Sequence, residues 1–190
     1  MTILAETPRG VFLPIHGEDI PPPPWSAPMQ FTVILQLLVL LLIANGTPVI
    51  AKRLLGNRIS CPLDGGLKLP DGQPLLGRSK TIRGVLLALV TTSAAAPHIG
   101  LDWRIGAVVG SAAMAGDLAS SFLKRRLGLP PSSQAVGLDQ VPESLFPFLL
   151  CRPLLDLTWT AVVAGVAIFF ASELVLSRVL YRLGIRGHPY

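Results

Sequence analysis

Between Phe31 and Ala51 the chain carries no charged residue, and a hydrocarbon core of about 30 Å takes about 20 apolar residues as helix. In lipid the backbone must satisfy its own hydrogen bonds, so such a run forms helix or does not cross. Four more apolar stretches follow: Ile82 to about Ile99, about Trp103 to Gly116, Glu143 to about Asp156, and Leu157 to Leu180. The composition agrees, with 51% hydrophobic and 14% charged residues and a mean hydropathy of +0.58, more apolar than a soluble domain needs. The expected fold is an all-α, polytopic membrane helix bundle of about five transmembrane helices. Asn45, Gly46 and Pro48 are expected to break the first helix and open a polar pocket, because irregular backbone at membrane depth is tolerated where it lines a cavity.

Residues 1–29 lack the basic n-region of a cleavable signal. With PPPP at Pro21 to Pro24 and the acidic pair Glu18 and Asp19, they read as a disordered, proline-rich leader. Residues 30–190 form the membrane domain. The third span places Gly106 and Gly110 in GxxxG spacing, and Ala112 and Gly116 continue the small-xxx-small pattern. That pattern predicts close helix packing within one chain and leaves a homodimer through other faces open.

Thirteen of the 16 basic residues fall in three segments: 52–83, 117–142 and the tail after residue 177. With five spans all three lie on one side, which the positive-inside rule makes cytoplasmic. The amino terminus is then outside, the carboxy terminus is cytoplasmic, and the protein resides in the cell membrane. Orientation accounts for the net charge of +5, so no nucleic-acid partner is implied. Cys61 and Cys151 fall in different environments, and neither they nor His16, His98 and His188 show disulfide or metal spacing.

The stretch GDLASSFLKRRLG, Gly116 to Gly128, poses the functional question. If the third helix continues past Gly116, then Asp117, Ser120 or Ser121, Lys124 and Arg125 recur at helical spacing and share a face. A stop-transfer end explains the cations, whose side chains reach to headgroup phosphates. It does not explain Asp117, because an intramembrane carboxylate is costly and marks a pairing or a site. Asp139 and Glu143, in LDQVPES, add two carboxylates at the same end, with Asp139 expected to precede a helix that has Pro142 in its first turn. Carboxylates beside cations suit Mg²⁺ bound to a polyphosphate, since Mg²⁺ takes oxygen ligands and shares them with substrate phosphates. The long loop between the first two spans ends in LLGRSKTIRG. It is not a Walker A loop, because Arg78 and Ser79 separate Gly77 from Lys80. Lys80, Thr81 and Arg83 instead sit at a helix amino terminus, which favours phosphate.

Taken in order, PLDGG, DG, LGRSKTIRG, GDLASSFLKRRLG, LDQ and LGIRGHPY resemble the CDP-archaeol synthase family, within the wider set of membrane CTP:phosphatidate cytidylyltransferases. The resemblance spans about residues 31–190. It implies that a lipid phosphate in the bilayer attacks the α-phosphorus of CTP, giving a CDP-lipid and pyrophosphate with Mg²⁺. It further implies that Asp117 and Asp139 serve the metal, Lys124 and Arg125 the substrate phosphate, and Lys80 with Arg83 the triphosphate or lipid phosphate. Ser121 would donate to phosphate. The chain departs from the family pattern at Gln73 and Pro74, at Arg78 and Ser79, and at Pro142, where a second aspartate is expected; Glu143 is then the substitute ligand. A CDP-alcohol phosphotransferase is disfavoured, because neither Asp64-Gly65 nor Asp71-Gly72 precedes the expected Ala-Arg. The alternative class is a non-catalytic or an ion- or lipid-transporting membrane protein, which accounts for Asp117 but not for three phosphate-friendly segments.

Overall fold

The computed structural model describes residues 3–6, 12–15, 26–56, 60–130, 133 and 135–182. Five helices build the membrane domain: α1 (Ala27–Leu55), α2 (Ile82–Ala95), α3 (Trp103–Arg126), α4 (Gln140–Cys151) and α5 (Trp159–Arg182). A 3-10 turn, Ala96–Ile99, completes the second span. Of the leader, two apolar pieces are among the described residues. Ile3–Glu6 (β1) pairs antiparallel with Phe12–Ile15 (β2), with Ile3 opposite Ile15, and these pieces carry the β-branched and aromatic residues that favour strand. Pro21 to Pro24, His16 and the tail from Leu183 lie outside the described residues.

Four of the helices, α1, α2 with its 3-10 turn, α3 and α5, are long and apolar enough to cross a membrane. The fourth is not: α4 has 12 residues, about 18 Å of helix. Hydrogen bonds to α1 show why it can be short. Asn45 of α1 donates to Glu143 at the start of α4. Gln30, 15 residues earlier, donates to the Asp156 carbonyl and accepts from the Thr158 amide. Those fifteen residues of α1 rise about 22 Å, so α4 and the turn after it descend only from the Asn45 level to the start of α1. The start of α4 therefore lies within the bundle, about 10 Å below Lys52 by the same rise. Since α1 and α5 both begin at the Gln30 end, they run parallel, and the 60–81 loop, the α3–α4 connection and the end of α5 share the opposite end.

α1 is not broken. It runs through Asn45, Gly46 and Pro48 as one helix, with the Thr47 hydroxyl donating to the Ile43 carbonyl at 2.7 Å and the Pro48 ring seated on Gly84 of α2. The core is a seam of Leu37, Leu40 and Leu41 from α1, Val109 and Ala113 from α3, Phe148 and Cys151 from α4, and Val162 and Phe169 from α5. Leu42, Leu86, Val90 and Val163 are exposed, as a lipid-facing surface requires.

α3 is the central helix, and its glycines set the approach of its neighbours. A Cβ on Gly106 would lie 2.5 Å from the Thr92 carbonyl oxygen of α2, and one on Gly116 would lie 2.3 Å from the Pro142 carbonyl oxygen. The small-residue stripe thus packs α2 and α4 against α3 within one chain.

The loop before α2 is built as a folded unit. The Asp64 carboxylate, 6% exposed, accepts from the amides of Gly66, Leu76 and Gly77 at 2.9–3.0 Å. Burial alone would raise its pKa, but these amide donors prevail and hold it below the ordinary 3.8. Asp71 accepts from the Gln73 amide at 3.0 Å, and Gly72 takes φ 76° at that turn. Leu63 and Ile82 close the base of the loop on the Lys80 and Cys61 carbonyls. Both Asp-Gly pairs are therefore turn formers.

Two outcomes follow from this packing. Gly116→Ala forces α4 off α3 and lowers the thermal midpoint in detergent, by the ~1–3 kcal/mol typical of overpacking. Gly46→Ala, with nothing within 4 Å of its new methyl, leaves the midpoint unchanged or slightly raised. In the loop, Asp64→Asn removes charge and acceptor capacity, and hydrogen-exchange protection at Leu76 and Gly77 falls. A carboxyl whose folded pKa is depressed stabilises above its unfolded value and stops as pH falls through the folded one. Wild-type protection factors at those amides therefore hold from neutral pH to about 3.8 and collapse only below it.

Candidate active site

α3 continues as helix through Gly116 to Arg126, so the polar face expected from GDLASSFLKRR forms. Ser120, Ser121, Lys124 and Arg125 on it are all buried. Asp117, near the depth at which α4 begins, is held by Lys80, whose Nζ lies 2.6 Å from Oδ1 and 2.5 Å from Oδ2. Glu143 joins them: its carboxyl lies beside that of Asp117 and near Lys80 and Glu173. Asn45 donates to Glu143 Oε2 at 3.2 Å. Four segments far apart in sequence, those of Asn45, Lys80, Asp117 and Glu143, thus meet around two carboxyl groups and an ammonium.

The cations of α3 diverge from this point. Lys124 pairs with Asp139 at 2.7 Å and donates to the Ser133 carbonyl. Arg125 is 2% exposed; one nitrogen donates to the Pro130 carbonyl at 2.8 Å, while Nε and Nη1 are buried with no hydrogen-bond partner among the described residues. Arg126 ion-pairs with Asp71 of the loop, and the Gln73 amide with Arg126 holds the Asp71 carboxyl below the usual range.

The sequence-derived site is therefore partly assembled. Asp117, Glu143 and Lys80 converge. Asp139 precedes α4 as expected, but it is paired with Lys124 and lies near Arg125. Among the described residues no three His, Cys, Asp or Glu side chains gather as a metal-binding group, so the set Asp117, Asp139 and Glu143 does not form. The reason is geometric: Asp139 stands just before α4 and turns its carboxylate back to accept from the Ala135 amide, whereas Glu143 lies one turn further into the helix. Thr81 caps α2, accepting from the Gly84 amide at 3.1 Å, and Arg83 donates to the Gly56 carbonyl at the end of α1. Two partnerships were not legible in the sequence: Asn45, expected to break α1 beside a polar pocket, instead donates to Glu143 from an unbroken helix, and Arg126, one of three cations, pairs with Asp71.

The donor set suits a hard divalent cation. Two carboxyl groups are the kind of ligands Mg²⁺ combines with substrate phosphate, and an ammonium already sits against both Asp117 oxygens.

Residues 95–190 match the family model CarS-like: CDP-archaeol synthase. The CDP-archaeol synthase of Aeropyrum pernix is 38% identical over 168 residues, covering 83% of this chain and 92% of that protein. That of Sulfurisphaera tokodaii is 32% identical, covering 86% and 99%. A solved structure reported as an intramembrane enzyme for archaeal membrane lipid biosynthesis superposes with a TM-score of 0.66 at 34% identity, over 75% of this chain and 90% of that one. With its motifs, its five-helix bundle and these relatives in agreement, the chain belongs to the CDP-archaeol synthase family.

Proposed function

We propose that this protein is a cytidylyltransferase of lipid biosynthesis that joins CTP and an isoprenoid glycerol phosphate into a CDP-lipid. The observation that carries the reading is the meeting of Asp117, Glu143 and Lys80 at membrane depth, where a lipid headgroup and a soluble nucleotide can both reach. An oxygen of the lipid phosphate attacks the α-phosphorus of CTP, the bond from that phosphorus to the bridging oxygen breaks, and pyrophosphate leaves with that oxygen and its electrons. No covalent enzyme intermediate is needed, so alignment and charge neutralisation carry the rate.

Asp117 and Glu143 are the residues that would hold Mg²⁺, whose charge would there offset that of the triphosphate. Glu143 thereby substitutes for the aspartate that Pro142 displaces. Lys80 exchanges its carboxylate for a phosphate as substrate enters. Arg125, with two buried nitrogens, Nε and Nη1, unpartnered among the described residues, offers a bidentate fork to a phosphate, and Asp139 orients Lys124 beside it. The cation-bearing end of the bundle faces the cytoplasm by the positive-inside rule, which gives the site access to CTP.

The test is pyrophosphate release by purified protein in detergent with CTP and Mg²⁺, offering geranylgeranyl-glycerol phosphate and phosphatidate side by side. Release is expected with the isoprenoid lipid; none with either lipid from a folded sample removes the proposal. Asp117→Asn lowers kcat by ~10²–10³ or more, as loss of a key electrostatic group does, while the protein stays folded. Glu143→Gln weakens the magnesium dependence, and an unchanged magnesium titration would leave Asp117 without that partner.

A further inference from the structure

At the end of α3, Lys124 and Arg125 both turn to the connection that leads into α4, and among the described residues only Arg126 of the three reaches the 60–81 loop. It ion-pairs with Asp71, donates to the Pro74 carbonyl at 2.9 Å and approaches the Gln73 carbonyl at 3.5 Å, and lies over the Phe122 ring with its guanidinium carbon 5.3 Å from the centroid. The same loop touches α3 again at Lys80 on Asp117. Nine residues of helix separate Asp117 from Arg126, about 13 Å, so the loop is fastened to α3 at two points.

Between the two fastenings the loop is internally braced. Leu75 donates to the Leu67 carbonyl at 2.9 Å, Leu76 and Gly77 donate to Asp64, and the Lys80 amide donates to the Gly77 carbonyl at 3.2 Å. Force applied at Asp71 and Pro74 is thus carried along bonded backbone to Lys80. Gln73 and Pro74 add to the contact through carbonyl oxygens, which accept from a cation and do not hold an anion.

We propose that Arg126 is a positioning residue: by clamping Asp71, Gln73 and Pro74 to the end of α3, it keeps Lys80 in register with Asp117 while Lys80 changes partner from carboxylate to phosphate. This rests on the reading of Lys80 as a phosphate ligand in cytidylyl transfer. Without the clamp, release of Lys80 from Asp117 frees the loop from α3, and substrate must bear the cost of ordering it again. The penalty then falls on CTP binding more than on the chemical step.

A double-mutant cycle with Asp71→Ala, Arg126→Ala and the pair decides the matter. Each single variant should raise KM for CTP about tenfold, the worth of one charge-assisted hydrogen bond, with a much smaller change in kcat. The pair should be no worse than either alone, and Arg126→Lys, which keeps the ion pair, should recover part of the loss. Independent effects that multiply, or a kcat loss in Arg126→Ala with Asp71→Ala unchanged, would overturn the clamp and place Arg126 on the substrate, where its buried Nε, unpartnered among the described residues, is available. A second readout does not need turnover. Trypsin cleavage at Lys68 and Arg78, both exposed on the loop, should accelerate equally in the two single variants of the full chain in membranes. Wild-type resistance in both overturns the proposal. If the wild type shows no CTP turnover, the cytidylyl reading fails while the protease comparison still judges the clamp.

Discussion

The ion pair between Lys80 and Asp117 is the contact on which the rest of this structure depends. A carboxylate near membrane depth is expensive unless a partner neutralises it, and the partner here comes from a loop 37 residues earlier in the chain. That requirement explains the loop's construction. It must deliver one ammonium to a fixed point on α3, so its backbone is pinned by the buried Asp64 carboxylate and its tip is tied down by Arg126. In the reading proposed above, the ammonium against Asp117 stands where a cation and a phosphate would come.

The bundle serves this arrangement through α3. Gly106 lets α2 approach, and Gly116 lets the first turn of α4 lie directly on α3, which brings Glu143 to Asp117 one residue away. Because α4 begins inside the bundle rather than at its end, the site is recessed below the level of the flanking cations. The cost of a half-length helix is met at its far end, where Gln30 of α1 takes up the Asp156 carbonyl and the Thr158 amide. For the cytidylyl transfer proposed above, a site at that depth would let a lipid stay in the bilayer while its headgroup meets a water-soluble nucleotide.

Much of the helical framework was legible in the sequence because apolar length is a local signal. The ends of α2 and α5, the continuation of α3 past Gly116, and Asp139 standing just before α4 all follow from local pattern. What was not legible is long-range. Nothing near Pro48 shows that it seats on Gly84 and leaves α1 whole. Periodicity does not separate Asp139 from Glu143, because their roles are set by which side of α4 meets Lys124 and which meets Asp117. Arg126 looked like a headgroup anchor, and its partner, Asp71, lies 55 residues away. In the leader, the four-residue pieces ILAE and FLPI are too brief for their pairing to be read from local pattern.

The central claim is that Asp117 and Glu143, and not Asp139, form the cation site of this protein. Electron paramagnetic resonance of Mn²⁺, titrated in place of Mg²⁺ into the detergent-solubilised protein with a non-hydrolysable CTP analogue, tests it most directly. The account predicts a bound-Mn²⁺ signal in the wild type that Asp117→Asn abolishes and Asp139→Asn retains. A signal that survives Asp117→Asn and disappears in Asp139→Asn would contradict it.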